Sequence, residues 1–176
     1  RMKKNFFHPR TIPLAFALVC LLAYGLLIPW LGFYWDDWPY TWFAHTLGPL
    51  GLIQALDGDR PFLAAIYMLT TSLFGSVPLV WQIFALLTRL GTVVALWWTL
   101  RLTWQRFPRQ AAWVGLLFAV YPGFRQHWIS VIYSQAFVML AATIASLGLM
   151  LYTLRAFPQR PWKHRRFLML TGLALL

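Results

Sequence analysis

Two long stretches without a formal charge limit what this chain can fold into. The first runs from Ile12 to Phe33 and is 22 residues long, and the second runs from Gln126 to Leu154 and is 29 residues long. A hydrocarbon layer about 30 Å thick is crossed by roughly 20 apolar residues in an α-helix. The sequence therefore predicts an all-α, polytopic transmembrane protein. We expect about five or six membrane segments, plus short interfacial helices in an outer loop.

The basic residues lie between the apolar stretches rather than on one face of a soluble domain. The chain carries 15 Lys and Arg against 4 acidic residues, a net charge of +11. Lys and Arg in the loops between spans mark the cytoplasmic side of a membrane. We therefore exclude nucleic acid as a partner, place the N-terminus in the cytoplasm and expect contacts with membrane lipids, including anionic head groups. Three clusters follow this rule: Arg1, Lys3, Lys4 and Arg10; Arg101, Arg106 and Arg109; and Arg155, Arg160, Lys163, Arg165 and Arg166.

The order of the segments follows from their lengths and from this charge rule. Phe62 to Phe74 is apolar but short, which is typical of a re-entrant or interfacial helix, whereas Leu79 to Leu100 is long enough for a full span. If only the second crosses, all three basic clusters fall on the cytoplasmic side, and we favour that arrangement. Residues 111–120 then return outward and Trp128 to Leu154 inward. A further apolar segment begins at Phe167, so we expect residues 1–176 to be a single helical domain, either the N-terminal part of a longer chain or a truncated version of one.

All four acidic residues lie between positions 36 and 59, on the predicted outer side. A carboxylate can act as a general base on a hydroxyl group, and it can hold Mg²⁺ or Mn²⁺. Arginine binds phosphate through two parallel hydrogen bonds. Acids and arginines close to the lipid surface therefore indicate a lipid-phosphate substrate. The polar groups of this outer rim are Asp36, Asp37, His45, Asp57, Asp59, Arg60, Arg125, Gln126 and His127.

Three short motifs, in this order and spacing, resemble the N-terminal transmembrane part of GT-C glycosyltransferases. They are WDDW from Trp35 to Trp38, DGDRPFLAAIYMLTTSLFG from Asp57 to Gly75, and RQAAWVGLLFAVYP from Arg109 to Pro122. Members of that superfamily take sugars from polyprenyl-phosphate carriers at the non-cytoplasmic face. The resemblance implies a transferase with a polyprenyl-phosphate-sugar donor, and we expect it in a bacterial inner membrane.

The resemblance also implies roles for individual residues. It implies a catalytic carboxylate at Asp36 or Asp37 without choosing between them, and Arg60 matches a position that precedes a proline. We add Arg125 and His127 as phosphate-binding candidates from their predicted position on the outer side. A divalent metal, Mg²⁺ or Mn²⁺, would be held by Asp36 and Asp59.

Each of these residues also has a structural interpretation. Asp is a favoured helix N-cap, so one of the paired aspartates can cap the surface helix that follows instead of reacting. The DGDRP segment can be a turn, and the Trp and Tyr side chains can be membrane anchors. Arg89 lies in the middle of a predicted span, where a charge normally faces a cavity or a partner. A role in a lipid-phosphate or acceptor cavity and a structural pair with a neighbouring helix beyond residue 176 both remain open for it.

A second function comes from a different class of protein. The chain can be a non-catalytic transmembrane subunit of a larger membrane complex, a role that suits its small-residue faces and many tryptophans. In a pigment- or lipid-binding assembly, His127 or His45 would be an axial ligand. A transporter needs a polar path across the bilayer, and Arg89 is the one charged residue that the sequence offers for it.

Overall fold

The computed structural model describes residues 11–56, 58, 61–121, 126–156 and 166. The described residues are helical and contain no β-strand, which confirms the predicted all-α class. The helices are α1 (Ile12–Cys20), α2 (Asp37–Leu56), α3 (Pro61–Phe74), α4 (Pro78–Thr103), α5 (Pro108–Ala119) and α6 (Ser130–Ala156). A π-helical turn, Leu21–Gly25, and a 3₁₀ turn, Ile28–Trp30, extend α1 toward the next segment.

Three helical segments in the described part of the chain are long and apolar enough to cross a membrane. They are Ile12–Trp30, Pro78–Thr103 and Ser130–Arg155. The apolar helix Leu63–Phe74 is shorter, as predicted. Helix α5 has 12 residues and is therefore about 18 Å long, less than the hydrocarbon thickness. The predicted count of five or six segments is not confirmed, and the segment expected from Phe167 lies outside the described residues.

Large apolar side chains cover the outer faces of these three segments. Leu14 on α1 is 69% exposed and Leu87 on α4 is 57% exposed. A soluble monomer seldom exposes apolar surface continuously along whole helices, whereas a helix facing lipid tails does. Other exposed side chains of the same kind are Leu18, Leu22, Leu79, Ile83, Met139, Leu147 and Leu154.

The chain forms two compact units. The first consists of Arg1–Ala23, Thr88–Tyr121 and Val138–Leu176, and the second consists of Tyr24–Leu87 and Pro122–Phe137. Helices α4 and α6 each contribute residues to both units.

In the first unit, α1 packs on a face of α5 made of small residues. Ala111, Gly115 and Ala119 are spaced by four and are all buried. A Cβ atom at Gly115 would lie 2.6 Å from Cζ of Phe16, so only glycine admits that ring. Without a strong hydrophobic force between helices in lipid, such close approach is what holds spans together. Phe16 also meets Trp97 edge to face, with ring centroids 6.0 Å apart.

Helices α4 and α6 contact each other in the same unit. The Thr99 hydroxyl donates a hydrogen bond of 3.1 Å to the carbonyl of Ile144. A Cβ atom at Gly148 would lie 2.3 Å from Cζ3 of Trp98 and 2.6 Å from the Thr99 oxygen. Small residues of α6 lie nearby, with Ser146 fully buried and Ala141 and its neighbours half-buried.

In the second unit, α2 and α3 pack together and α3 turns back into α4. Gly48, with φ of 70°, breaks α2 into two helical pieces. Gly75, with φ of 59°, ends α3 in the left-handed conformation that favours glycine. The indole N–H of Trp81 then donates a 2.9 Å hydrogen bond to the Gly75 carbonyl and closes the turn. The core of this unit consists of Phe33, Ala44, Leu52, Tyr67, Trp81 and Val131.

We expect Gly148→Ala to destabilise the protein. The added methyl group would overlap the Trp98 ring and the Thr99 hydroxyl, and overpacking of this kind costs about 1–3 kcal/mol. Gly91→Ala is the matched control because nothing lies within 4 Å of its position on α4. That substitution should be neutral or stabilise the helix by about 0.5–1 kcal/mol. Thermal unfolding in detergent, followed by circular dichroism, measures both, and equal melting temperatures for the two variants would contradict the α4–α6 packing.

Candidate functional site

The second unit contains a buried carboxylate that binds the start of another helix. Asp37 is the first residue of α2, yet its side chain is fully buried and contacts the N-terminus of α6. Oδ2 accepts from the backbone N–H and the hydroxyl of Ser130, at 2.8 and 3.3 Å. Oδ1 accepts from the backbone N–H groups of Val131 and Ile132, at 2.9 and 3.4 Å. Asp37 therefore caps a helix that lies more than 90 residues further along the chain.

These four donors occupy the hydrogen-bonding capacity of Asp37. A carboxylate offers about four lone-pair sites, and each oxygen of Asp37 already accepts two hydrogen bonds. The first N–H groups of a helix have no partner within the helix, and its N-terminus favours negative charge. Asp37 thus supplies the acceptors that the first backbone N–H groups of α6 need, and a catalytic role for it stays a prediction.

The protonation of Asp37 reflects the same environment. Burial raises the pKa of the Asp37 carboxyl above its ordinary value, and the three backbone N–H groups and the Ser130 hydroxyl oppose that rise by stabilising the charged form. The role of Asp37 as a cap for α6 therefore depends on these four hydrogen-bond donors.

Asp36 differs from its neighbour in exposure. Its side chain is exposed, while that of Asp37 is buried, so the two members of the acidic pair lie in different environments. Trp35, directly before the pair, has a positive φ of 48°. A non-glycine residue in that region carries strain of the order of 1–3 kcal/mol and is held there by its surroundings. The backbone N–H groups of Asp37 and Trp38 close this turn on the carbonyls of Tyr34 and Trp35.

Gln82 joins the segment that precedes this turn to the segment that precedes α6. The Gln82 side-chain amide donates to the carbonyls of Gly32 and Trp128, at 3.0 and 2.9 Å. The Trp128 ring meets Tyr34 edge to face, with centroids 5.2 Å apart. Segments 32–34 and 126–130 are therefore joined by several independent contacts.

His127, which the sequence placed among the phosphate-binding candidates, is half-buried in the same region. Its ring lies against Tyr24, with ring centroids 4.3 Å apart. Next to it, the Tyr133 hydroxyl donates to Oε1 of Gln126. His127 therefore packs in an aromatic environment close to the capped end of α6.

A groove of about 340 Å³ is partly lined by residues that flank the acidic pair in the sequence. Its lining residues are Phe33, Trp38, Thr41, Trp42, His45, Ser76 and Pro78. The Trp38 and Trp42 rings are 60% and 62% exposed, so the groove is bordered by aromatic surface. A volume of this size is at the lower end of the range for small-molecule sites.

Arg89, the remaining described candidate, belongs to the first unit and contacts the end of a helix. It is buried in the middle of α4, and its Nε donates to the carbonyl of Ala119, the last residue of α5, at 3.3 Å. The last carbonyls of a helix lack partners within the helix, and its C-terminus favours a cation. The partner lies in α5 of this chain rather than in a helix beyond residue 176, and the phosphate-binding role of Arg89 stays a prediction.

The remaining predicted site residues lie outside the described residues. These are Arg60, Arg125 and Asp59, with Asp57 from the same outer rim. Their roles stay predictions, as does the metal site assigned to Asp36 and Asp59. Among the residues that the structure describes, no group of three or more His, Cys, Asp or Glu side chains is placed to hold a metal ion.

Several buried polar residues of this region were missed by the sequence analysis. They are Thr70, Gln82, Ser130, Ser134 and Gln135, and all of them are at least nine-tenths buried. Nε2 of Gln135 donates to the Thr70 hydroxyl at 2.9 Å and joins α6 to α3. The sequence did contain a signal for the two glutamines. A glutamine inside an apolar stretch needs a hydrogen-bond partner when lipid surrounds the helix.

No protein-family model, no curated protein and no solved structure matches this chain.

We expect Asp37→Asn to destabilise the protein and Asp36→Asn to leave its stability unchanged. Asparagine at position 37 loses the charge and turns an N–H₂ group toward backbone donors. Removing a charged acceptor from buried donors costs roughly 1.5–3 kcal/mol. At the exposed position 36, a change within about 0.5 kcal/mol is typical. Melting temperatures in detergent provide the comparison, and a destabilised Asp36→Asn beside an unchanged Asp37→Asn would reverse the two assignments.

Proposed function

We propose that this chain is part of a membrane-embedded glycosyltransferase of the GT-C type. It would transfer a sugar from a polyprenyl-phosphate donor to an acceptor hydroxyl at the non-cytoplasmic face. The observation that supports the proposal is the division of the acidic pair. The Asp37 carboxylate binds the N-terminus of α6, while Asp36, the residue before it, is exposed. A carboxylate on a turn held by its neighbours is a suitable general base.

The proposed reaction is a single displacement. The acceptor oxygen attacks the anomeric carbon, Asp36 takes the hydroxyl proton, and the bond from that carbon to the phosphate oxygen breaks. Lipid phosphate leaves with the electron pair, and the anomeric centre is inverted. Arg60, Arg125 and His127 are the candidates for binding the phosphate, and Mg²⁺ or Mn²⁺ near Asp36 and Asp59 would further neutralise its charge.

The groove beside Trp38 offers a place for an apolar or sugar group of the substrate. Its aromatic border includes Trp38, Trp42 and His45, and Thr41 contributes the nearby hydroxyl group. Aromatic rings bind the faces of sugars and also lie against lipid chains at the membrane interface. Both uses agree with a lipid-linked sugar as the substrate.

The proposed topology places the acidic pair outside and the Arg-rich ends inside. Arg101 and Arg155 are in the last turns of α4 and α6, and Arg155 donates to the carbonyl of Leu102, so these two helix ends lie together. Cytoplasmic placement of both follows the charge rule for loops. A multi-pass chain with a cytoplasmic N-terminus and five or six segments in a bacterial inner membrane completes this proposal.

A non-catalytic subunit of a membrane complex is the second candidate. It is favoured by a different observation, since Asp37 and Arg89 both bind helix ends within the chain. Polar residues inside membrane proteins that serve only the fold are expected in a scaffold. In that case, Asp36 would be an ordinary surface residue of an aromatic membrane interface.

We expect Asp36→Asn to reduce sugar transfer by roughly 10²–10⁴-fold without loss of folded protein, because general-base assistance has about that value. The measurement is transfer from a labelled polyprenyl-phosphate sugar by the full-length natural protein in detergent. Gln54→Ala, an exposed change on α2, is the control and should keep full turnover. Wild-type turnover by Asp36→Asn would rule out the base assignment, and a wild-type protein that binds no such lipid would favour the subunit.

The topology has its own test in a Cys20→Ser background. A cysteine at position 36 should react with an impermeant thiol reagent from the outer side only, and a cysteine at position 106 from the cytoplasmic side only. Both positions are exposed, so each is accessible to the reagent. Labelling of both from one side would contradict a single crossing by α4 between them.

A further inference from the structure

A second cavity lies in the first unit, where α4 ends and the chain turns into α5. Its volume is about 350 Å³, and its lining residues are Trp98, Arg101, Leu102, Gln105 and Pro108. It contains none of the residues assigned to sugar transfer. Because α4 is long and apolar enough to cross a membrane, we expect its end at the depth where lipid head groups begin.

The Arg101 side chain at this cavity lies over an aromatic ring. The guanidinium carbon of Arg101 lies 5.0 Å from the centroid of the Trp97 ring. Such a contact orients the planar guanidinium group and leaves its N–H donors in their fixed fork geometry. That fork matches two oxygens of a phosphate group.

A second guanidinium group binds the backbone of one lining residue. Arg155, in the last turn of α6, donates to the backbone carbonyl of Leu102, which lines the cavity. The Trp98 and Tyr152 rings lie 6.3 Å apart and join the same two helices one turn earlier. Helices α4 and α6 thus bring two arginines to one place, although these residues are more than 50 positions apart in the sequence.

No acidic residue of this unit can neutralise that charge. All four acidic residues of the chain are aspartates at positions 36 to 59, and none belongs to the three segments of the first unit. The same segments contain 13 of the 15 Lys and Arg residues. An anion that is not a side chain of this unit is therefore the natural counter-charge, and the membrane surface supplies one in the phosphate groups of its lipids.

We propose that this cavity binds the phosphate of an anionic phospholipid. Arg101 contacts the phosphate oxygens with its paired N–H groups, the Gln105 amide donates to the head group, and the Trp98 ring lies beside the glycerol and the first acyl carbons. Arg155 adds a second positive charge at the rim. The site would attach the α4–α5 turn and the end of α6 to one leaflet, and it does not depend on the proposed transferase activity.

Two variants of the same loop separate a specific site from general surface charge. Purified, delipidated protein in neutral detergent is titrated with phosphatidylglycerol, phosphatidylcholine or inorganic phosphate, and bound lipid is counted by native mass spectrometry. Arg101→Gln removes the cavity charge. Arg106→Gln removes one charge from an exposed residue of the same turn that does not line the cavity.

We expect phosphatidylglycerol to bind wild type and Arg106→Gln alike, and Arg101→Gln roughly five- to tenfold more weakly. Phosphatidylcholine should bind less tightly than phosphatidylglycerol, and excess inorganic phosphate should not displace the lipid. Equal weakening by the two variants, equal binding of both lipids, or displacement by inorganic phosphate would each overturn the proposal.

Should Arg101→Gln fail to fold, Arg101→Lys decides the question. Lysine keeps the charge and loses the two-pronged contact, so affinity a few-fold below wild type supports the site. Affinity equal to that of wild type would overturn it.

Discussion

The first backbone N–H groups of α6 need acceptors, and the rest of the second unit is arranged around the aspartate that supplies them. Ser130 and Val131 are buried in the protein, so water does not replace a missing partner there and an open helix end is costly. Asp37 meets this need with four hydrogen bonds from a single side chain. Its position depends in turn on the strained Trp35 and on the Gln82 contacts that join the flanking segments.

The same need for hydrogen-bond partners at a helix end explains the buried charge of Arg89 in the first unit. Arg89 is buried in the middle of an apolar helix, and it donates to the carbonyl where the short helix α5 ends. A helix of 12 residues ends before it has crossed the hydrocarbon layer, so its last carbonyls need donors at that depth. An anion at the start of one helix and a cation at the end of another are the charges that the two helix dipoles favour.

These assignments change which polar residues remain for chemistry. Asp37 binds backbone groups through both carboxylate oxygens and Arg89 binds one through Nε, whereas Asp36 is exposed and Arg101 lines a cavity. The transferase proposal therefore rests on Asp36 together with the outer arginines, and the lipid proposal rests on a separate cluster. An intramembrane charge is a good functional candidate from sequence, but the accounting of backbone hydrogen bonds decides whether it is available.

The sequence by itself determined the helical class, the three long apolar segments and the separation of acids from bases along the chain. These features depend on composition and local length, which a single chain displays directly. The sequence did not show which of the two aspartates is buried. Asp36 and Asp37 have the same chemistry, and they differ only in contacts such as that of Asp37 with Ser130, 93 residues away. The contact of Gly115 with Phe16 and the hydrogen bond from Arg155 to the Leu102 carbonyl are equally non-local. Only the tertiary structure decided them, because packing selects which side chains of an apolar helix face a partner and which face lipid.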